Sequence, residues 1–345
     1  MGVVVHTQLN QAFEILGLLH VCHHPKLLEL SHVAEQLAEL GINGEELYKK
    51  YETLLKRYVA AFRKEFVLDE ADSVFFDDDG PAFLFFLQIL FAEMPAWIDD
   101  IESVSEREIV DILMEGLGEW LAEGPNEGAS IHEIIDVLKK SELPPNVCWK
   151  LMLLLQEPKK QIVQLVQLIR RNIPAYEHAL RTIEKPLQKR LEQFVKTQRN
   201  APKGRAEELV SRFDVPPVET VIPVLISPTV EIYVERSKYA GLFIEDTWRM
   251  IENLKKARNS NNPVFKALSD SSKFDILLSL NHSPKYNLEL AEHLGLTAAT
   301  VSHHMQMLLM HGLVSVEKRD GRVYYTLQRD VMKNAIAELR EIFSI

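Results

Sequence analysis

Two histidines stand side by side in the run TAATVSHHMQMLLMHG, Thr297 to Gly312, and a third follows at His311. Imidazoles this close raise three kinds of chemistry: metal ligation, acid–base catalysis, or contact with a polar partner such as a nucleic acid. Neighbours on a helix point ~100° apart. Val301, Met305, Leu308 and Leu309 share one apolar stripe at helical spacing, with His304 at its edge. His303 faces away with Thr300, so the pair is not arranged to grip one ion.

Other clusters raise the same question. HVCHHP sets His20 and His24 one turn apart with Cys22 and His23 between them and His32 nearby, a spacing that could hold zinc or copper. Histidines at a helix end beside a proline commonly bind nothing, and no metal is expected there. HEIID, His132 to Asp136, has an aspartate where a zinc-hydrolase HExxH needs its second histidine. Cys148, inside VCWKLMLLL, reads as core. There is no Gly-rich phosphate loop, nucleophile elbow or spaced carboxylate pair, so neither an enzyme nor a cofactor is expected.

A chain of 345 residues can form two or three domains. From Leu9 to about Gln198, helical patterns follow one another between prolines and glycines. Leu9, Phe13, Leu16 and Leu19 start the series. Asn43 can cap a helix through Leu47, Tyr51, Leu54, Leu55, Tyr58 and Phe62. Asp79 with Pro81 opens a Phe-rich helix, Ser103 or Ser105 another, and Ser130 with Glu133 a third. VCWKLMLLL and QIVQLVQLIRR give two further apolar faces.

After Val215 the run VETVIPVLISPTVEIYV is β-branched, and Pro223 and Pro228 suit edge strands or a short irregular sheet better than a central strand. GLFIED is a further candidate strand, and TWRMIENLKKAR reads as a helix. ARNSNNP, Ala257 to Pro263, marks the clearest boundary. The expected fold is mainly α: an N-terminal all-α bundle with a short β segment, then a C-terminal winged helix-turn-helix domain. The expected pieces are 1–214, 215–258 and 261–345.

Charge separates along the same line. The net charge is -11, from 50 acidic and 39 basic residues, but residues 261–345 hold nine of each. The deficit lies wholly in the first part and does not argue against a nucleic-acid partner for the last. Two cysteines make a disulfide framework improbable and a reducing compartment the default. MGVVVHTQ lacks the basic region of a signal peptide, and PAFLFFLQILFAEM is shorter than the ~20 residues of a membrane span. A cytoplasmic protein without membrane contact is expected.

In the last 80 or so residues, an amphipathic helix broken near Asp270 is followed by a short helix that ends at Gly295. Thr297 can cap a third helix, and two strands flank Asp320-Gly321, a type I′ hairpin dipeptide. The run LAEHLGLTAATVSHHMQMLLMHGLVSVEKRDGRVYYTL resembles the ArsR-type (arsenic-repressor) transcriptional regulators, whose pattern is roughly ELAxxLGLSxxTVSHHLxxLxxAGLVxxxRxGRxxxYxL. The resemblance covers turn, recognition helix and wing together. It implies a winged helix, usually dimeric, that binds double-stranded operator DNA and represses until a small-molecule inducer releases it.

Metal-sensing members carry Cys-Val-Cys where this chain has Tyr286, Asn287 and Leu288. Their second metal site needs histidine on the last helix, and VMKNAIAELREIFSI has none. The residues themselves suit DNA. Thr297, Ala298, Ala299, Thr300 and Ser302 are small enough to let a helix backbone approach the major groove. His303 and Gln306 can meet base edges or phosphates, and Lys318, Arg319 and Arg322 bracket the wing turn. Val331, Ile336, Leu339 and Ile342 give the last helix an apolar side for a homodimer. A sensory role for the first 260 residues weighs about equally with a scaffold role. A winged helix that binds protein, or an enzyme fused to its regulator, stands behind the DNA-binding reading.

Overall fold

The computed structural model describes residues 3–31, 33, 37, 43–77, 81–120, 138, 143–199, 217–257, 263–319 and 322–343. His32, Asp79, Ser130, the HEIID run and Asp320-Gly321 lie outside these residues. Two compact units form, the first from Met1–Ala201 with Val218–Ile251, the second containing Glu252–Ile345.

In the first unit α1 (Gln11–His23) is buried at every position from Ala12 to Val21. A helix apolar on all sides has to sit inside its bundle rather than on it. Asn10 caps it by accepting the Phe13 N–H at 3.0 Å. α2 (Gly44–Phe62) is capped by Asn43 and buries Leu47, Tyr51, Leu55, Tyr58 and Phe62; Leu54 stays half-buried. α3 (Pro81–Glu93) carries the phenylalanines. At α4 (Glu106–Trp120) it is Ser105, rather than Ser103, whose hydroxyl accepts an N–H of the first turn, that of Glu108 at 3.2 Å. α5 (Pro145–Gln156) and α6 (Pro158–Arg199) complete the described bundle.

α6 runs unbroken for 42 residues through Pro174 and Pro186. The sequence reading treats prolines as breaks, and here they are not. Both rings lie on exposed positions, while Ala175, Tyr176 and Leu187 next to them are buried. Packing on either side outweighs the ~3 kcal/mol that a helix-interior proline typically costs.

The sheet has the order β1-β2-β4-β3. β1 (Val4–Val5) lies parallel to β2 (Thr220–Val224), β2 parallel to β4 (Ser237–Gly241), and β3 (Glu231–Val234) antiparallel to β4. Pro223 therefore sits on a strand with neighbours on both sides, not on an edge strand. Because β1 pairs only with Thr220 and Val221, the stretch at Pro223 faces β4 alone and no ladder bond to β1 is lost. GLFIED is not a strand: β4 ends at Gly241, and α7 (Ile244–Ala257) starts three residues later. Gly241 passes close to another backbone, and a Cβ there would stand 2.3 Å from the Pro228 carbonyl oxygen.

A carboxylate from α1 reaches the middle of this unit. Glu14 is fully buried and accepts the Leu225 N–H at 2.6 Å, the Ile226 N–H at 3.2 Å and the Tyr58 hydroxyl at 3.1 Å. Burial raises its pKa to about 7, against the opposing pull of the two amides and the tyrosine.

The second unit follows a simple order: α8 (Pro263–Ser269), α9 (Ser271–His282), α10 (Asn287–Leu294), α11 (Ala298–Met310), β5 (Val314–Arg319), β6 (Arg322–Leu327) and α12 (Arg329–Phe343). Val264, Ile276, Leu277, Leu280, Leu290 and the apolar stripe of α11 form its core. No helix among the described residues is long and apolar enough to cross a membrane.

Candidate nucleic-acid interface

Local signals build the helix-turn-helix. Asp270 separates α8 from α9, accepting the Lys273 N–H at 3.0 Å and its Nζ at 2.8 Å. Lys273 thereby holds the Asp270 carboxyl below its usual range. Gly295 closes α10 in the left-handed region at φ 65°, where a Cβ is disfavoured. Thr297 then caps α11, its Oγ1 accepting the Thr300 N–H at 3.1 Å. Replacing Thr297 by alanine should lower the stability of this unit by about 1 kcal/mol. Denaturant unfolding followed at α11 amides checks this, and an unchanged midpoint would show the cap to be dispensable.

α11 divides into two faces. Val301, Met305, Leu308 and Leu309 are buried in the core. Ala299, His303 and Gln306, spaced by four and three residues, are exposed on the other side, and Thr297 is exposed at the start. Ala298, Thr300 and Ser302 are half-buried flanks. Two of the hydroxyls have partners already: Thr300 Oγ1 lies 2.8 Å from Thr297 Oγ1, and Ser302 Oγ accepts the Asn287 amide at 3.3 Å.

The paired histidines have different surroundings. His303 is exposed, whereas His304 is half-buried with an Nδ1 that is shut off from solvent and has no hydrogen-bond partner among the described residues. Desolvation, then the nearby Lys273 charge, lowers the His304 pKa, against the pull of Asp270. The ring centroids are 5.9 Å apart and tilted by 56°.

At the wing, Lys318 pairs across the hairpin with Val323, and Arg319 with Arg322. All three cations are exposed. Arg319 forms an ion pair with Glu317 at 2.5 Å, which holds the Glu317 carboxyl down and raises the arginine. Such a solvent-exposed pair is weak and screened by salt, so an incoming phosphate can displace Glu317. The Arg322 guanidinium carbon lies 4.9 Å from the centroid of the Tyr286 ring, and Tyr286 meets Tyr324 edge-on at 5.6 Å. Lys285 and Tyr325 exchange backbone bonds of 3.2 and 2.9 Å, tying the start of α10 to the wing. The sequence reading considered Tyr286 and Asn287 only as absent metal ligands and missed these contacts.

In the first unit the histidines of HVCHHP do approach one another. The His20 and His24 rings are 4.9 Å apart, and those of His23 and His24 are 4.8 Å apart. His24 bonds the Phe76 carbonyl, and His23 is 3.8 Å from Asp77. Cys22 is half-buried, with a thiol pushed up by burial. Among the described residues no group of three or more His, Cys, Asp or Glu is placed to hold a metal ion. Cys148 is half-buried, its thiol 3.7 Å from the carbonyls of Leu138 and Leu143.

Comparison with known proteins bears on the second unit alone. Residues 270–316 match the family model described as bacterial regulatory protein, arsR family. The chain is 31% identical over 75 residues to the transcriptional repressor SdpR of Bacillus subtilis (strain 168), covering 22% of this chain and 83% of that protein. It is 33% identical over 79 residues to the arsenical resistance operon repressor of Staphylococcus aureus, covering 23% and 76%. The HTH-type transcriptional regulator CmtR of Mycobacterium bovis is 35% identical over 77 residues, covering 22% and 65%. The fold and the comparisons define a helix-turn-helix protein of the regulatory type. Through its C-terminal region, the chain belongs to the arsR family of bacterial regulatory proteins. The N-terminal part is unmatched, and no solved structure matches the chain.

Proposed function

We propose that this protein is a sequence-specific DNA-binding transcriptional regulator, acting as a homodimeric repressor in the cytoplasm. The observation that carries the reading is the exposed stripe Ala299, His303 and Gln306 on a helix held by its opposite face, together with three exposed cations beside one hairpin turn. Small residues let the helix backbone approach base edges, and cations at the wing neutralise phosphates. The repressor names of the relatives support the direction of regulation. The 261–345 piece is taken as the DNA-binding domain, with Ile336 of α12 offering an exposed apolar side chain for the dimer.

For the remainder of the chain we favour a sensory role over a purely structural one. Among the described residues of the first unit, a recess of about 840 Å³ runs along α6, lined by Leu180, Leu187, Leu191 and Val195 together with Arg181 and Glu184. It is an open groove that offers both apolar and charged side chains to a small molecule. A metabolite that raises the melting temperature of the full chain and weakens its DNA complex supports this role. If no compound shifts melting while DNA binding is intact, the first unit is a scaffold.

Binding-site selection on random DNA, followed by titration at several salt concentrations, tests the main reading. R319A and R322A should each weaken binding to all sequences and reduce the salt slope by about 1. S302A, H303A and Q306A should instead change base preference, by ~1–3 kcal/mol at the position read. Failure of the wild-type chain to select any site would sink the regulator reading. Equal losses on selected and random DNA for all five variants would sink the division of labour between helix and wing.

A further inference from the structure

The start of α10 touches both halves of the interface with two consecutive residues. Tyr286 presents its ring to Arg322 of the wing, with the guanidinium carbon 4.9 Å from the ring centroid. Asn287 donates its side-chain amide to Ser302 of α11 at 3.3 Å. Neither side chain is exposed, and the tyrosine is fixed from behind. Tyr324 meets the Tyr286 ring edge-on, Glu289 accepts the Tyr286 N–H at 3.1 Å, and the Lys285–Tyr325 backbone bonds hold the chain immediately before it.

We propose that Tyr286 and Asn287 are positioning residues for DNA contact: Tyr286 preorders the Arg322 guanidinium, and Asn287 orients the Ser302 hydroxyl. The proposal rests on the DNA-binding reading and adds residues that face no base or phosphate themselves. The physical reason is conformational. A free arginine gives up much rotamer freedom when it grips a phosphate, and one already lying on an aromatic face gives up less. A hydroxyl rotates freely about its bond unless a donor occupies one of its lone pairs, as the Asn287 amide does at Ser302. Adjacent anchors on one helix end also fix the wing and the recognition helix relative to each other.

The test uses the full chain and its selected DNA site, with two mutant cycles. Y286L should weaken binding by about three- to fivefold, Y286F should retain near wild-type affinity because the ring persists, and Y286L should cost nothing further in the R322A background. N287A should blunt discrimination between the selected site and single-base variants as S302A does, with no added effect in the double variant. An independent readout needs no DNA: the NMR signals of the Arg322 guanidinium should be shifted upfield by the Tyr286 ring, kept in Y286F and lost in Y286L. A Y286L loss that is just as large without Arg322, or no loss at all, would overturn the Tyr286 assignment. Additive effects of N287A and S302A would overturn that of Asn287. If the ring shift is present and the wild-type chain forms no specific complex, the regulator reading fails and this one with it. If a complex forms and the cycles show no coupling, the positioning proposal alone fails.

Discussion

Replacing Glu14 with glutamine should make the first unit more stable than the wild type above pH 7 and flatten its pH dependence. Glu14 has an ordinary carboxyl pKa of 4.5 and a folded value of about 7. Between these values the native state holds a proton that the unfolded chain has released, so stability falls as pH rises through this window. The stabilisation is complete below about pH 4.5 and gone above pH 7; the difference is roughly 3 kcal/mol. Glutamine fits the same partners without a charge: its oxygen can accept the Leu225 and Ile226 amides and its NH₂ can donate to the Tyr58 oxygen. Hydrogen exchange of the Leu225 and Ile226 amides across pH 5 to 8, or unfolding of the full chain over this range, measures the effect. A Gln variant with the wild-type slope would refute the assignment. E14A is a harsher variant, because it strands two amides and a hydroxyl in the core, each at ~1–3 kcal/mol.

Gly241→Ala should be the most damaging of the single-methyl additions. The new Cβ would lie 2.3 Å from the Pro228 oxygen and 2.4 Å from its carbonyl carbon. Backbone atoms cannot swing aside as a side-chain tip can. The Pro228 carbonyl is also held, accepting the Phe243 N–H at 2.7 Å, while the Gly241 N–H donates to Val230 at 2.8 Å. Relieving the overlap breaks at least one of these bonds and separates the turn at Ser227–Thr229 from β4. The expected cost is about 3 kcal/mol or more, a fall in melting temperature of roughly 10 °C. Heating the purified variant and following the first unit decides it, and a change under a few degrees would mean that the strand can shift away freely.

The parts legible in the sequence were those with a local cause. Asn43, Asp270, Gly295 and Thr297 each act within four residues of their own position, and the structure uses all four as helix boundaries. The winged helix was legible for the same reason, since turn, helix and hairpin follow one another directly. What escaped depends on distant partners. β1 pairs with a strand more than 200 residues away, and nothing in VVV announces it. α6 continues through two prolines because of the surfaces packed around it. Glu14 did leave a signal, a lone carboxylate inside the apolar run AFEILGLL, although periodicity alone does not name the Leu225 and Ile226 amides that receive it. Tyr286 and Asn287 went unread because softness as metal ligands was the only property asked of them.

The junction of β1, Glu14 and the strand at residues 220–226 also governs the order in which the first unit can be completed. Helices up to Arg199 emerge during synthesis with Glu14 still lacking its two amide donors and β1 lacking its neighbour. At ~5–20 residues per second, the missing strand follows a few seconds later. Until then the bundle carries a carboxylate site with Tyr58 but neither amide to donate to it, and closure must bring together chain segments at long separation, a slow class of step. A fragment cut at residue 214 would stop the chain at that incomplete stage, whereas one carried past Gly241 would contain the whole sheet.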